Sequence, residues 1–217
     1  MNKLLITGYK HSGTTMLMQL LRSHPQVGWI EFEEGYIEYD KPKEWLIMMA
    51  KKRVSNLKEK VWGEKLPWGD RDSDKNSERS IGFTKKWLKY FRNDARVIHI
   101  IRHPIDAASS GRPDGHPGDD ALKQILKTVP LYIDFSNNDK RIASVCYEDL
   151  LIEPRIHLDK IFNFLGIVSS QKVLDVVTNT KLKFGKINAD RAYAFEKKGI
   201  ESDIDYDEIL KKINVRL

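Results

Sequence analysis

Apolar residues come in short blocks divided by polar or glycine-bearing turns, and the period inside each block tells strand from helix. "KLLIT", residues 3 to 7, is a continuous apolar run closed by Gly8, the pattern of a strand buried on both faces. Thr14 to Arg22 then puts Met16, Leu17, Leu20 and Leu21 on one helical face before "SHP" ends the helix. A second apolar run, Val27 to Phe32, leads into the acidic cluster "EFEEGY". Lys41 to Lys60 predicts a helix with Pro42 early and Trp45, Met48, Met49 and Ala50 on its apolar side. "VWGEKLPWG" follows, and after it "DRDSDKNSERS" reads as a surface loop.

The second half repeats the alternation. Ile81 to Arg92 predicts a helix, and "RVIHII", residues 96 to 101, a strand that ends at Arg102-His103-Pro104. Past the loop "GRPDGHPGDD", Ala121 to Phe135 predicts a helix kinked near Pro130. "RIASVCYEDL" predicts a strand, and Arg155 to Leu165 a helix closed by Gly166. The last fifty residues mix lysine with apolar residues and predict no definite element. Strands alternating with helices imply an α/β protein: a central parallel sheet flanked by helices in three layers. At 217 residues without an internal repeat, one domain spanning 1–217 is expected.

Charge adds little to this picture. The 37 basic against 31 acidic residues leave a net charge of +6, which suits an anionic ligand without selecting nucleic acid. No apolar run approaches a membrane span, so neither a nucleic-acid nor a membrane partner is expected. Cys146 is the single cysteine, which rules out an intramolecular disulfide and predicts a buried, inert thiol. Because Leu4 to Ile6 runs straight into the glycine loop, a signal peptide is not expected and a cytoplasmic enzyme is the simplest reading.

Candidate chemistry begins at Gly8, where "GYKHSGTT" has the spacing G-x-x-x-x-G-[TS] between a strand and a helix. Backbone N–H groups of such a loop, with the helix dipole behind them, bind phosphate. Thr14 and Thr15 can add hydroxyl donors, and Lys10 and His11 positive charge. The plainer possibility is an ordinary glycine-rich turn. A P-loop nucleotide kinase or NTPase would carry lysine at Thr14 and an acidic strand end for magnesium. Thr14 removes the first, and Arg102 stands in place of the second at the end of "VIHII".

Three segments resemble the sulfotransferases that use 3′-phosphoadenosine 5′-phosphosulfate (PAPS). "ITGYKHSGTTMLMQLLRSHPQV" is similar to that family's 5′-phosphosulfate loop. "RVIHIIRHPIDAASSG" is similar to its 3′-phosphate segment, in which an arginine closes a strand and a serine follows eight positions later. Arg102 and Ser110 hold those places, and arginine with a hydroxyl suits a fixed dianion. "VCYEDLLIEPRIHLDKIFNFLGI" resembles the strand and helix that follow, and "WGEKLP" the family's G-E-K-T-P or H-L-P segment. The resemblance spans roughly residues 3 to 166 in order and is closer to the glycan and bacterial types than to the cytosolic small-molecule type.

It implies a P-loop-like fold, PAPS as cosubstrate, no metal, and a glycan or small metabolite as acceptor. It also implies that Lys10, His11, Ser12, Gly13, Thr14 and Thr15 hold the 5′ side of the nucleotide, and Arg102 and Ser110 the 3′-phosphate. Two departures from the pattern matter. Family loops read P-[RK]-S-G-T-T, whereas here His11 precedes the serine and Lys10 takes the proline's place; the leaving-group role stays open between them. Lys65 falls where cytosolic members carry the catalytic histidine of K-T-H-L-P, and is expected to contact sulfonate or acceptor. A glutamate after the second strand serves glycan-type members as base, which makes Glu33 the first candidate and Glu34 the second, unless Glu31, Glu33 and Glu34 are simply solvated acids. Lys183 and Lys186 in "KLKFGKI" lie where the family often places a late basic loop. A binding protein that kept the nucleotide pocket and lost catalysis is the remaining alternative.

Overall fold

The computed structural model describes residues 1–29, 60–68, 75–109 and 119–180. Five strands form one sheet in the order β2-β3-β1-β4-β5, and every neighbouring pair is parallel. They are β1 (Asn2–Tyr9), β2 (Val27–Trp29), β3 (Val61–Trp68), β4 (Ala95–Ile101) and β5 (Ile142–Cys146). The helices are α1 (Thr14–Arg22), α2 (Lys75–Phe91), α3 (Pro104–Ser109), α4 (Asp119–Asn138), α5 (Tyr147–Ile152), α6 (Pro154–Leu165) and α7 (Gln171–Thr180).

Side-chain alternation along the strands sorts these helices into layers. Leu4 and Ile6 of β1, with Ile98 and Ile100 of β4, pack under α1, α6 and α7 through Leu17, Leu21, Ile161, Phe162 and Val173. Leu5 and Val97 face the other way, against Phe83, Trp87 and Phe91 of α2. Ile101 meets Ala107 and Ala108 of α3 and Ile125 and Val129 of α4 on that same side. The three-layer α/β expectation holds, and the uniformly apolar strands follow from burial on both faces.

Several local expectations are corrected. "VWGEKLPWG", for which the pattern assigned no element, contains β3, an interior strand between β1 and β2. Glycine, proline and two charged residues give it low strand propensity, but pairing on both edges overrides propensity. Its Gly63 is required by packing, since a Cβ there would run into the Trp29 ring. The surface loop expected up to Ser80 is already helical from Lys75, so α2 starts six residues before Ile81. The strand expected through "YEDL" ends at Cys146, and Tyr147 opens α5. A short helix, α3, follows Arg102 with Pro104 at its start, where proline's missing N–H costs nothing. Pro130 sits inside α4, which runs longer at both ends than its apolar pattern. α7 lies within the C-terminal stretch that the pattern left unassigned. Of the helix expected from Lys41 to Lys60, only Lys60 falls among the described residues.

Candidate functional site

In an open parallel sheet, ligands bind beyond the carboxyl ends of the strands where the strand order changes direction. Here that point lies between β1 and β4, because the chain fills β2 and β3 on one side of β1 before crossing to β4 and β5. The β1–α1 loop and Arg102 are the two features that emerge there.

The loop from Tyr9 to Gly13 is tightly wound. Ser12 N–H donates to the Tyr9 carbonyl at 3.0 Å, closing a turn. His11 adopts φ 68° and Gly13 φ 99°, the left-handed region that costs a non-glycine residue free energy. Gly13 could not be otherwise, since a Cβ would overlap the Tyr147 ring. Gly8 is equally constrained, because a Cβ there would stand 2.5 Å from the Ile100 carbonyl oxygen. α1 begins at Thr14 with no acidic residue in its first turn, so nothing on the helix neutralises the positive end of its dipole.

Arg102 reaches the loop from the end of β4. Its Nη1 donates to the His11 carbonyl at 3.0 Å, and its guanidinium lies over the Tyr147 ring. Glu148, next to that tyrosine, accepts the His103 N–H at 2.9 Å through Oε1 and the Cys146 thiol through Oε2. The turn that aims Arg102 is thus tied to β5. On the other flank of the loop, Lys65 donates from Nζ to Thr15 Oγ1 at 2.9 Å.

Electrostatics follow from this crowding. Burial, Lys10 and Arg102 together lower the His11 pKa below the ordinary imidazole value. Burial also lowers the pKa of Lys65, opposed by Glu64 beside it. Burial and the Glu148 carboxylate push the Cys146 thiol well up, which makes it the inert thiol that the sequence led us to expect. Among the described residues, no group of three or more His, Cys, Asp or Glu side chains stands together as a metal site.

No protein-family profile matches the chain, and no curated protein matches it in sequence. Solved structures do match in three dimensions. The sulfotransferase domain from the curacin biosynthetic pathway superposes with a TM-score of 0.56 at 13% identity, over 99% of this chain and 96% of that one. The sulfotransferase domain from the Synechococcus PCC 7002 olefin synthase gives 0.53 at 17% identity, over 99% and 94%. This is the sulfotransferase fold. Mouse sulfotransferase SULT7A1, complexed with PAP, gives 0.50 at 17% identity over 83% of this chain. The chain spans 63% of the length of that mouse enzyme.

On the sulfotransferase fold, the residues expected from the sequence divide into three groups. Lys10, His11, Gly13, Thr14, Thr15 and Arg102 come together at one end of the sheet. Ser12 belongs to the same loop, but its side chain is turned inward and only 1% of the residue is exposed. Glu33, its alternative Glu34, the neighbouring Glu31, Ser110, Lys183 and Lys186 lie outside the described residues. Trp62 and Trp87 are core, and Trp29 packs half-buried on Gly63. The sequence did not reveal Tyr147 as the packing partner of both Gly13 and Arg102. The "YEDL" string marks the place, but 134 residues separate Tyr147 from Gly13, and only the sheet order brings them together. Among the described residues no helix is long and apolar enough to cross a membrane.

Proposed function

We propose that the protein is a sulfotransferase that moves the sulfuryl group of PAPS to a hydroxyl or amine of a small metabolite or glycan. One observation carries the reading: the Gly8–Thr15 loop and Arg102 meet through the Arg102–His11 contact at the switch point of a sulfotransferase fold. A neighbour of that fold is complexed with PAP, the 3′,5′-bisphosphate left after transfer.

The residues suit the chemistry. Backbone N–H groups at the start of α1 and the Thr14 and Thr15 hydroxyls face the 5′-phosphate. Arg102, with Ser110 after it, holds the 3′-phosphate. In the transfer step the sulfur–oxygen bond to the 5′-phosphate breaks and its electron pair stays on the phosphate oxygen. The acceptor oxygen or nitrogen forms the new bond to sulfur and gives its proton to Glu33. Lys10 or His11 offsets the charge that grows on the departing phosphate. Such transfers pass through loose transition states, so positioning and charge neutralisation supply most of the catalysis.

A kinase or NTPase reading fits less well, because Arg102 follows the end of β4, where such an enzyme carries an acidic residue for magnesium, and Lys65, from within β3, donates to the first-turn Thr15 hydroxyl. Calorimetric titration with PAP, AMP and magnesium–ATP tests the proposal. Micromolar PAP binding with much weaker AMP binding is expected, followed by sulfuryl transfer in an acceptor screen. Preference for magnesium–ATP would overturn it, and PAP binding with no transfer to any acceptor would leave a nucleotide-binding protein.

A further inference from the structure

α4 carries two stripes side by side, and one of them is polar although it is buried. Ile125, Val129 and Ile133 pack with Ile101 and α3, as the apolar side of a helix should. Gln124, Thr128, Tyr132 and Ser136 repeat at the spacing that stacks side chains on one helical face. In the second half of the helix the protein itself supplies their partners. Ser136 Oγ accepts from Ser144 Oγ at 3.2 Å, and the Tyr132 hydroxyl shares a hydrogen bond of 3.2 Å with Thr84 Oγ1 of α2. In the first half the partners stop. Gln124 Oε1 and Thr128 Oγ1 have none among the described residues, although the two residues are only 7% and 0% exposed. Thr128 does not even bond to the carbonyl four residues back that a helical threonine can take.

The open half of the stripe stands at the functional end of the sheet. β4 and β5 are parallel, so α4 runs back from the carboxyl ends of the strands toward their beginnings. Its first half is therefore level with the loop after β1. Tyr9, which opens that loop, packs on the cluster that holds Ile125 and Val129. The stripe also crosses the sheet obliquely, from Ser144 on β5 to His99 on β4, on which Tyr132 stacks. Continued past Thr128 and Gln124, that line leads to the end of β1, where the sulfuryl group would be transferred. Buried polar groups are nearly always hydrogen-bonded, and each unmet one costs stability. A carbonyl oxygen accepts only, and a hydroxyl accepts or donates, so the pair suits a ligand that brings a hydroxyl or an amine.

We propose that Gln124 and Thr128 recognise the acceptor, and that the acceptor is a vicinal diol or amino alcohol. One hydroxyl or amine takes the sulfuryl group while its neighbour is held by this pair. The inference rests on the sulfotransferase reading and narrows its acceptor class. A phenol or a simple alcohol would leave both side chains buried and unmet, the condition under which a polar site discriminates most strongly.

PAP titration comes first, because it tests the nucleotide site without any acceptor. Transfer from PAPS is then measured to cyclohexane-1,2-diol, 2-aminocyclohexanol and glucosamine, and to cyclohexanol, cyclohexylamine and 4-nitrophenol. Wild type should prefer the vicinal compounds by about tenfold or more in kcat/KM. Gln124→Met and Thr128→Val keep side-chain volume and should cut that preference about ten- to a hundredfold, through KM. Both variants should melt at the wild-type temperature or above it, because an unmet buried group is gone. Thr128→Ser keeps the hydroxyl and should keep the preference. The proposal falls if wild type binds PAP but sulfates none of the vicinal compounds, if it treats the two sets alike, or if the preference survives in both apolar variants. A Thr128→Val protein that melts lower would overturn it too, by showing that the hydroxyl is met within the fold. Each of these results leaves the nucleotide reading standing, whereas failure to bind PAP would sink that reading and this inference together.

Discussion

The Arg102 guanidinium lies over the Tyr147 ring, 4.7 Å from its centroid, while its Nη1 holds the His11 carbonyl. The Cδ2–Cε2 edge of the same ring leaves no room for a Cβ at Gly13. One tyrosine therefore sets the distance between the loop and the arginine. Arg102→Ala should weaken PAP binding by about 2–3 kcal/mol of charge-assisted contact. Tyr147→Leu should weaken it by about 1 kcal/mol, the scale of a partly desolvated cation–π pair. Combined, they should lose less than the sum, because the tyrosine acts through the arginine. Additive losses in a calorimetric double-mutant cycle would show that the two residues serve the nucleotide separately.

Ser12 Oγ is buried and has no hydrogen-bond partner among the described residues. A buried hydroxyl without a partner costs stability, and functional loops are where such costs persist. Ser12→Ala should leave the melting temperature unchanged or raise it, by up to about 1 kcal/mol of stability, while weakening PAP binding. Unchanged PAP affinity would remove the Ser12 side chain from the cradle.

The depressed pKa of His11 makes a pH prediction with a definite sign. Its imidazole is mostly neutral at pH 7 and gains charge only below its ordinary range. Added positive charge beside the phosphates should tighten PAP binding as pH falls through that lowered pKa. The ligand's own phosphate also titrates, near 6, so the quantity to measure is wild type minus His11→Asn between pH 5 and 8. A difference that does not change with pH would place His11 away from the anion.

His99 is fully buried in β4 and stacks on Tyr132 of α4 with ring centroids 4.0 Å apart. Burial pushes its pKa down to about 3 from 6.5. Between these values the unfolded chain binds a proton that the folded chain refuses. Stability contributed by the neutral ring is complete above pH 6.5 and falls by about 1.4 kcal/mol per pH unit below it, until pH 3. Denaturant unfolding between pH 7 and 5 should show that slope, and His99→Phe should flatten it. An identical slope in the variant would assign the acid sensitivity to other groups.

Local sequence was enough wherever one residue's neighbours decide its conformation. The apolar period of Thr14–Arg22 places α1 at those residues, and Gly166 ends α6 in the left-handed conformation its sequence position suggests. Gly8, Gly13 and the adjacent hydroxyls mark the anion loop, and the strand-end Arg102 marks its counterpart. β3 escaped that reading because Gly63, Glu64, Lys65 and Pro67 resemble a turn until β1 and β2 pair with them. The helical start of α2 escaped it because six polar residues carry no apolar period of their own. Tertiary structure alone decided which distant groups meet: Tyr147 between Gly13 and Arg102, and Lys65 on Thr15. These contacts follow from the order β2-β3-β1-β4-β5, which puts the ends of β3 and β4 on either side of the loop after β1. Strand order is set by burial of whole faces, a sum over many residues, and no short stretch of the chain records it.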